Sequence, residues 1–555
     1  MNKNYKYILA LAIVLIAFNF LGNSYYMRFD LTSDKRYTIS KSATKILENI
    51  KYPLIIDVFL EGDDFPSEFR RLQKETRQLL EEFSAINNNV IYNFINPIED
   101  DASRELNIQK LSQRGLTPMQ LSVQESGKSS RSIIFPWALA SYNDQTLIIP
   151  LVKNKIGASQ QDLVSNSVQH LEYTFAEGFK KLTEPKKHKI AILKGNKQLD
   201  DKYISDFVKK IGEYYFIAPF TLDSVSSNPQ KTLEDLNTFD LIISAKPTEA
   251  FTESEKLVLD QFTMNGGKSL WLIDAIAMEK DSLFNDKGAN FALARDINLT
   301  DFFFKYGARI NPVIVSTLYS APITLAMGTG SDSQFQHLKW LYSPLASSNS
   351  NHPIINNLNL VKFDFASQID TLKNNIKKTI LLESAPLTRL EAAPREISLE
   401  VVTQEQNPAS FNKGNQTMAV LLEGSFNSVY DNRVKPFNLS DEKNKSTPTK
   451  MVIIADGDII KNDVIRNVPQ QLGFDRWTGQ TYGNKEFLLN TVNYLLDDDG
   501  LINIRSKEVA VAFLNQQKIT AQKTKWQLLN IVLPLILLSI FGFLFNYFRK
   551  KKYAS

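Results

Sequence analysis

A long apolar segment stands at each end of this chain, and the polar stretch of residues 29–525 lies between them. The first covers residues 7–27 around Ile-Leu-Ala-Leu-Ala-Ile-Val-Leu-Ile-Ala-Phe (8–18). The second covers residues 528–548, and neither contains a charged side chain. About 20 helical residues, at roughly 1.5 Å each, match a hydrocarbon core about 30 Å thick. Two such segments confine the chain to a membrane and limit what the middle can do.

Basic residues set the orientation. Lys3 and Lys6 precede the first segment, and Arg549, Lys550, Lys551 and Lys552 follow the second. Lys and Arg near helix ends stay on the cytoplasmic side, so both termini are expected in the cytoplasm and residues 29–525 in the periplasm of a bacterial inner membrane. Lys518, Lys523 and Lys525 on the outer flank oppose this, but the four-residue cluster outweighs them. A cleavable signal peptide is the competing view of the N-terminus. Leu21-Gly22-Asn23-Ser24 offers small residues but no A-x-A-like site, which favours an anchor.

The net charge of +4 comes from 64 Lys and Arg against 60 Asp and Glu. Seven of those cations (Lys3, Lys6, Arg28, Arg549, Lys550, Lys551, Lys552) flank the apolar segments, leaving 57 basic against 60 acidic residues elsewhere. The middle therefore has no global basic field for nucleic acid. There is no cysteine, which removes disulfides, thiol nucleophiles and thiolate metal sites together. The fold must rest on its cores, and the length suggests two to four domains.

Ser40 is placed to cap a short helix with Ala43, Ile46 and Leu47 on one face. Residues 54–60 read as a buried strand, 66–86 as an amphipathic helix, and 90–95 as a second strand. That is a βαβ unit and predicts a parallel pair. Strands are expected at 119–123, 132–135 and 147–150, then a helix at 160–182. Glu184-Pro-Lys-Lys-His188 marks a junction. Strands 189–193, 239–244 and 269–273 then alternate with helices 201–214 and 253–264, a second α/β unit in which Asn265-Gly266-Gly267 turns helix into strand. Beyond about residue 310 periodicity fades. Strands are expected at 397–402, 418–422, 451–455 and 501–505, and a helix at 487–496. The expected divisions are an anchor (1–28), a first α/β ectodomain (29–185), a second, insertion-rich one (186–510) and a second anchor with its basic tail (511–555). The predicted fold class is α/β, with two or more extracytoplasmic domains built on parallel or mixed sheets and one transmembrane helix at each terminus.

Local motifs supply little chemistry. Gly267-Lys268-Ser269 lacks the glycine five positions earlier that a P-loop needs, since residue 262 is Phe, and it lies between helix and strand in the wrong order. Gly328-Thr329-Gly330 lacks a third glycine. Asp456-Gly457-Asp458, with Asp463 nearby, follows an apolar strand. It could hold Mg²⁺ or Ca²⁺ there, or form an ordinary Asp-Gly turn. Asp497-Asp498-Asp499-Gly500 reads as a turn. His170, His188, His337 and His352 are the only histidines, and no pair has zinc-ligand spacing. No catalytic, cofactor-binding or metal residue is assigned.

Several segments together resemble a known family: Arg28-Phe-Asp-Leu-Thr-Ser-Asp-Lys-Arg-Tyr-Thr-Ile-Ser40 after the first span, Asn351-His-Pro-Ile354, Phe365-Ala-Ser-Gln-Ile-Asp370, Ala419-Val-Leu-Leu-Glu-Gly-Ser-Phe-Asn-Ser428, Val452-Ile-Ile-Ala-Asp-Gly-Asp458, Gly483-Asn-Lys-Glu-Phe-Leu-Leu-Asn490 and Leu501-Ile-Asn-Ile-Arg505. In order and topology they are similar to the gliding-motility-associated ABC-transporter auxiliary family of Bacteroidetes-type bacteria. The resemblance implies a non-enzymatic subunit without cofactor, whose partners are a polytopic ABC permease and a cytoplasmic ATPase, serving gliding motility and linked secretion. It also implies an α/β scaffold similar to class I glutamine amidotransferases, carried by Asn265-Gly-Gly-Lys-Ser-Leu-Trp-Leu272. Those enzymes need a cysteine that this chain lacks. The competing expectation is an envelope-facing glycan- or peptide-binding protein, or a hydrolase with a site assembled from distant carboxylates.

Overall fold

The computed structural model describes residues 11–15, 38–507 (apart from 63–64, 101, 126–127, 329–331, 348–349 and 498) and 516–553. They divide into two compact units, residues 1–508 and 509–555.

In the first unit the Ser40 hydroxyl accepts the Ala43 N–H and starts helix α1 (Lys41–Glu48), which buries Ala43, Ile46 and Leu47 as its spacing predicts. Strand β1 (Leu54–Val58), helix α2 (Ser67–Ile86) and strand β2 (Val90–Phe94) form the expected βαβ unit, with β1 and β2 parallel. Thr76 sits on the apolar face of α2 at no polar cost, because its hydroxyl donates to the Leu72 carbonyl. Helix α3 (Arg104–Gln113) buries little beyond Leu111, so no apolar stripe announces it. Strands β3 (Met119–Glu125) and β4 (Lys128–Ile134) form a separate hairpin. Strands β5 (Trp137–Tyr142) and β6 (Gln145–Pro150) complete an order of β2-β1-β5-β6, with both later pairings antiparallel. Helix α4 (Gln160–Thr183) packs its Phe175 and Phe179 against Phe83 of α2.

The second sheet begins with β7 (Lys189–Lys194), α5 (Asp201–Ile211), β8 (Phe216–Thr221), α6 (Pro229–Leu236), β9 (Leu241–Ala245), α7 (Glu253–Met264) and β10 (Lys268–Leu272). The chain then leaves the sheet, makes several small two- and three-stranded pieces that include a hairpin of β11 (Ile323–Met327) and β12 (Gln334–Leu338), and returns as β13 (Lys377–Glu383), β14 (Thr417–Gly424) and β15 (Thr449–Ile454). The order is β13-β14-β15-β10-β9-β7-β8, with β15, β10, β9, β7 and β8 parallel and the β13–β14 edge antiparallel. Residues 451–455 thus close the same sheet, as their apolar run suggests. Alternation along each strand feeds two cores. Ile190, Ile192, Leu270, Leu272, Val452 and Ile454 face one core, with α5 and helix α8 (Asn484–Leu496). Ala191, Leu193, Trp271, Met451 and Ile453 face the other, with α6 and α7. This is the doubly covered parallel sheet that continuous apolar strands demand.

Two expected strands are corrected. Residues 501–505 form a 3₁₀ helix (Leu501–Ser506), not a strand. The Asp497 carboxylate accepts the N–H groups of Asp499 and Leu501, and Gly500 takes φ +71°, so the chain turns into a helical coil despite its β-branched residues. Leu501, Ile502 and Ile504 are buried in the core of the first sheet. Of residues 397–402, only the start belongs to a strand (Arg395–Ser398). The Ser398 hydroxyl then accepts the Glu400 N–H and begins a 3₁₀ turn (Leu399–Thr403).

In the second unit one helix, α9 (Gln516–Tyr553), contains the whole apolar segment 528–548. Within it, 32 residues (Ala521–Lys552, mean hydropathy 2.6) are long and apolar enough to cross a membrane. Its departure from helical dihedrals falls at Gln522, where φ is −123°, and not at Pro534. The expected first span, 7–27, lies outside the described residues except for 11–15, which are helical.

Candidate functional site

Three apolar strands of the second sheet end, side by side, in charged residues: β9 in Ala245-Lys246, β10 in Ile273-Asp274 and β15 in Ala455-Asp456. Ligands of open α/β sheets bind outside the carboxyl ends of the strands, and a dense charge network lies here. Lys246 has φ +56°, and its side chain is 3% exposed. Its Nζ sits 3.3 Å from Asp274, 2.7 Å from Glu279 and 2.5 Å from Asp458. Burial alone would lower the Lys246 pKa. The Asp274, Asp458 and Glu279 carboxylates outweigh it and hold the ammonium well above the usual lysine range.

Carboxylate oxygens of Asp274, Glu279 and Asp458 approach within 4.8 Å of one another, close enough to share a metal ion. The Lys246 ammonium stands among them, where such an ion would sit. The triad is therefore served by a cation that belongs to the chain. Gly457 makes this possible, since a Cβ there would lie 2.5 Å from Lys246 Cγ.

Asp456 and Asp458, adjacent in sequence, do different work. The Asp456 carboxylate turns inward and accepts the N–H groups of Asp364 and Asp458, each at 2.7 Å. Burial, together with Asp274 and Asp458, drives its pKa well above the ordinary carboxyl range. Asp458 points outward to Lys246 and, more loosely, Lys461. Asp463 instead caps Val464 and lies 3.6 Å from Arg476. The three acids that sequence proximity groups together do not converge.

Asp458 and Glu279 border an open cleft of about 1150 Å³. On its floor, Lys280 and Lys362 share one carboxylate, Asp364, at 3.0 and 3.6 Å. Burial would raise Asp364, but the two ammonium groups hold it far below the usual range. None of the four histidines reaches this place. His170 lies against Arg505, His188 beside Asp240, His337 on Thr324 and His352 against Tyr494. No carboxylate–histidine pair forms in the cleft among the described residues.

The remaining motifs resolve as turns. Gly266 has φ +97°, and the N–H groups of Gly266 and Gly267 are spent on Thr263 and Phe262 at the end of α7, so neither faces outward. The Phe262 ring fills the space where a Cβ of residue 267 would stand. Gly328 closes the β11–β12 hairpin at φ +108°, while Thr329 and Gly330 lie outside the described residues. Asp499 is no mere solvated turn residue, since it pairs with Lys45 at 2.6 Å and Lys180 at 3.0 Å.

A second constellation joins the two ends of the body. Glu172 of α4 accepts the Ser40 N–H on one oxygen and the Lys507 ammonium on the other, each at 2.7 Å. Lys507 also donates to the Thr38 carbonyl at 2.8 Å. Nearby, the nearly unexposed Arg505 guanidinium bonds Glu486 at 2.7 Å and the Pro353 and Asn356 carbonyls. Lys153 reaches the same Glu486 at 2.6 Å, and burial pushes Lys153 down to about 8. Residues 38–40 and 505–507 thus meet beside α4.

Sequence reasoning isolated Asp456 and Asp458 but missed Lys246, Asp274, Glu279, Lys280, Lys362 and Asp364. The available signal was the repetition of a charged residue immediately past three buried strands. Glu172 had no signal, being one polar residue on a long helix.

A family described as an ABC-type uncharacterized transport system matches residues 187–491, and a domain of unknown function (DUF7088) matches residues 33–141. No curated protein matches. Among solved structures the chain is similar to the "mmIFT52 N-terminal domain" at 12% identity, over 56% of this chain and 98% of that one, with a TM-score of 0.31.

Proposed function

This chain belongs to the ABC-type transport auxiliary family, and from that premise we propose that it is a non-catalytic, membrane-anchored subunit whose ectodomain is joined to a polytopic permease and a cytoplasmic ATPase. Any nucleotide hydrolysis then comes from the ATPase, and this chain passes the movement to an extracytoplasmic body. Membrane association rests on α9 and the family. Beyond that, we place both termini in the cytoplasm and residues 29–525 in the periplasm of the inner membrane. The divisions remain at 1–28, 29–185, 186–510 and 511–555, with the last turn of the third interlocked with the core of the second. We assign the system to gliding motility and linked secretion, following the resemblance of the motifs.

The observation that carries the proposal is the clasp at Glu172. A body whose two ends emerge together, bonded to one carboxylate, is built to be held by both of its flanking segments at once. Force applied through either segment reaches the same point of α4. A hydrolase is poorly served by the carboxylates at the strand ends, because Lys246 occupies the space between them.

The absence of cysteine makes topology directly testable. Single cysteines introduced at Asn4, Ser555 and, in the ectodomain, Val434 (95% exposed) are labelled with a membrane-impermeant maleimide in intact spheroplasts. Labelling of Val434→Cys alone is expected. Labelling of Ser555→Cys in intact cells contradicts the topology.

A further inference from the structure

The two main sheets have four edge strands between them, β2, β6, β8 and β13. Three of these carry features that keep open edges from pairing. β8 has Pro219 within it, and β6 ends in Pro150. β13 carries Lys377 and Lys378 and slips register between Ile380 and Leu382. The fourth edge, β2, reads Val90-Ile91-Tyr92-Asn93-Phe94. It has no proline, no charge and no slip against β1.

The bonds that end the β1–β2 ladder show which groups the edge offers. The Leu54 N–H donates to the Asn89 carbonyl, and the Ile95 N–H to the Val58 carbonyl. Alternate residues of a paired strand face their partner, so Asn89, Ile91, Asn93 and Ile95 turn their main-chain groups to β1. Val90, Tyr92 and Phe94 turn theirs away. The Val90 N–H is taken by the Asn87 carbonyl at 2.9 Å. The N–H and C=O groups of Tyr92 and Phe94, and the Val90 C=O, have no partner among the described residues. Beside this edge Ile91 and Ile55, adjacent in register, are 44% and 42% exposed.

We propose that β2 pairs antiparallel with β2 of a second copy of this chain, across a two-fold axis at Tyr92, so that two four-stranded sheets become one continuous sheet. Tyr92 then exchanges both ladder bonds with Tyr92 of the other copy, and each Phe94 N–H donates to the Val90 carbonyl opposite. The cross-strand neighbours select this occupant. On the core side Tyr92 meets Tyr92 and Val90 meets Phe94, aromatic and aromatic–β-branched pairs of the stabilising kind. On the outer face Ile91 stands opposite Asn93 and diagonal to Ile91 and Ile95 of the other copy. No like charges meet, and a charged segment of another protein would find no opposite charge on this strand. A two-fold pairing also closes, because each copy spends the one edge it leaves unblunted. The inference goes beyond the auxiliary role and does not depend on it.

The test uses the absence of cysteine. Full-length Tyr92→Cys is oxidised with copper phenanthroline in native membranes. Directly opposed residues of a hydrogen-bonded antiparallel pair lie about 5.5 Å apart at Cα, within reach of a disulfide. A disulfide-linked dimer of twice the chain mass is expected, while Val434→Cys stays monomeric under the same treatment. Tyr92→Pro removes only an outward N–H from β2, and should turn the purified dimer into a monomer by light scattering with circular dichroism retained. Ile91→Lys, at an exposed position, sets two ammonium groups near the axis and should weaken dimerisation tenfold or more. Tyr92→Cys that links no better than Val434→Cys overturns the proposal. So does a cross-link to a different protein, or an Ile91→Lys chain that dimerises as tightly as the parent. A dimer recovered without permease or ATPase leaves this pairing standing while the auxiliary role falls.

Discussion

Lys246 shows how a single side chain can stand in for an ion. Three carboxylates close enough to share a metal would repel one another if they faced only water-poor surroundings. The ammonium, fixed on a left-handed residue just past β9, offsets part of that repulsion without a ligand being recruited. Lys246→Met removes this cation and leaves the buried Asp274 with the Gly457 N–H and the more distant Arg295 at 3.7 Å. The expected loss is about 3–5 kcal/mol, checked by urea unfolding of the purified chain. Gly457→Ala should act in the same direction, by about 1–3 kcal/mol, because its methyl group meets the Lys246 stem. Histidine gives the pH dependence. Burial pushes His352 from 6.5 down to about 4 and holds His170 low as well. Between those values the folded chain binds fewer protons than the unfolded one, so stability rises with pH from about 4 to 6.5 and is lost on acidification through that window. His352→Gln should flatten the difference between unfolding midpoints measured at pH 7 and pH 5.

At the scale of elements, the clasp makes a separate prediction. Glu172→Ala leaves the Ser40 N–H without its acceptor and the Lys507 ammonium with the Thr38 carbonyl alone, at a cost of about 1–3 kcal/mol. Amide exchange should rise first in α1 and in the 3₁₀ turn Leu501–Ser506, while the central strands β9 and β10 stay protected. Unchanged exchange at both ends would remove the clasp from the mechanism. The same elements show what a sequence can and cannot announce. Strands β7, β9, β10 and β15 are nearly continuous apolar runs bounded by polar turns, and α2 and α7 carry clear caps or stripes, so they are readable. β5 is missed because two of its three inward residues are Ala138 and Ala140, too small to make an apolar signal beside Tyr142. Residues 501–505 are misread because Leu-Ile-Asn-Ile has a strand's composition, while a carboxylate one turn earlier bends it into a coil. The site divides in the same way. Asp456 and Asp458 are conspicuous as a motif, whereas Lys246 and Asp274 become neighbours only once three strands separated by long stretches of chain lie side by side.

On the scale of the whole molecule, the last turn of the body completes the core of its first sheet. Leu501, Ile502 and Ile504 join residues that begin at Ala43, so the N-terminal layer is finished only when almost the whole body has been made. Replacing Ile502 and Ile504 together by Ala should cost about 4–8 kcal/mol and expose the first sheet to protease before the second. Such closure suits a body gripped at both ends, since neither layer can move without the other. On the proposed reading this body works as a subunit of a transporter whose motor lies in another chain. The most direct test of that reading is purification of the full-length protein from native membranes in mild detergent. A permease and an ATPase are expected to co-elute with it in fixed ratio, with ATP hydrolysis present in the complex and absent from this chain alone. Recovery only as an isolated homo-oligomer, with neither partner, would contradict it.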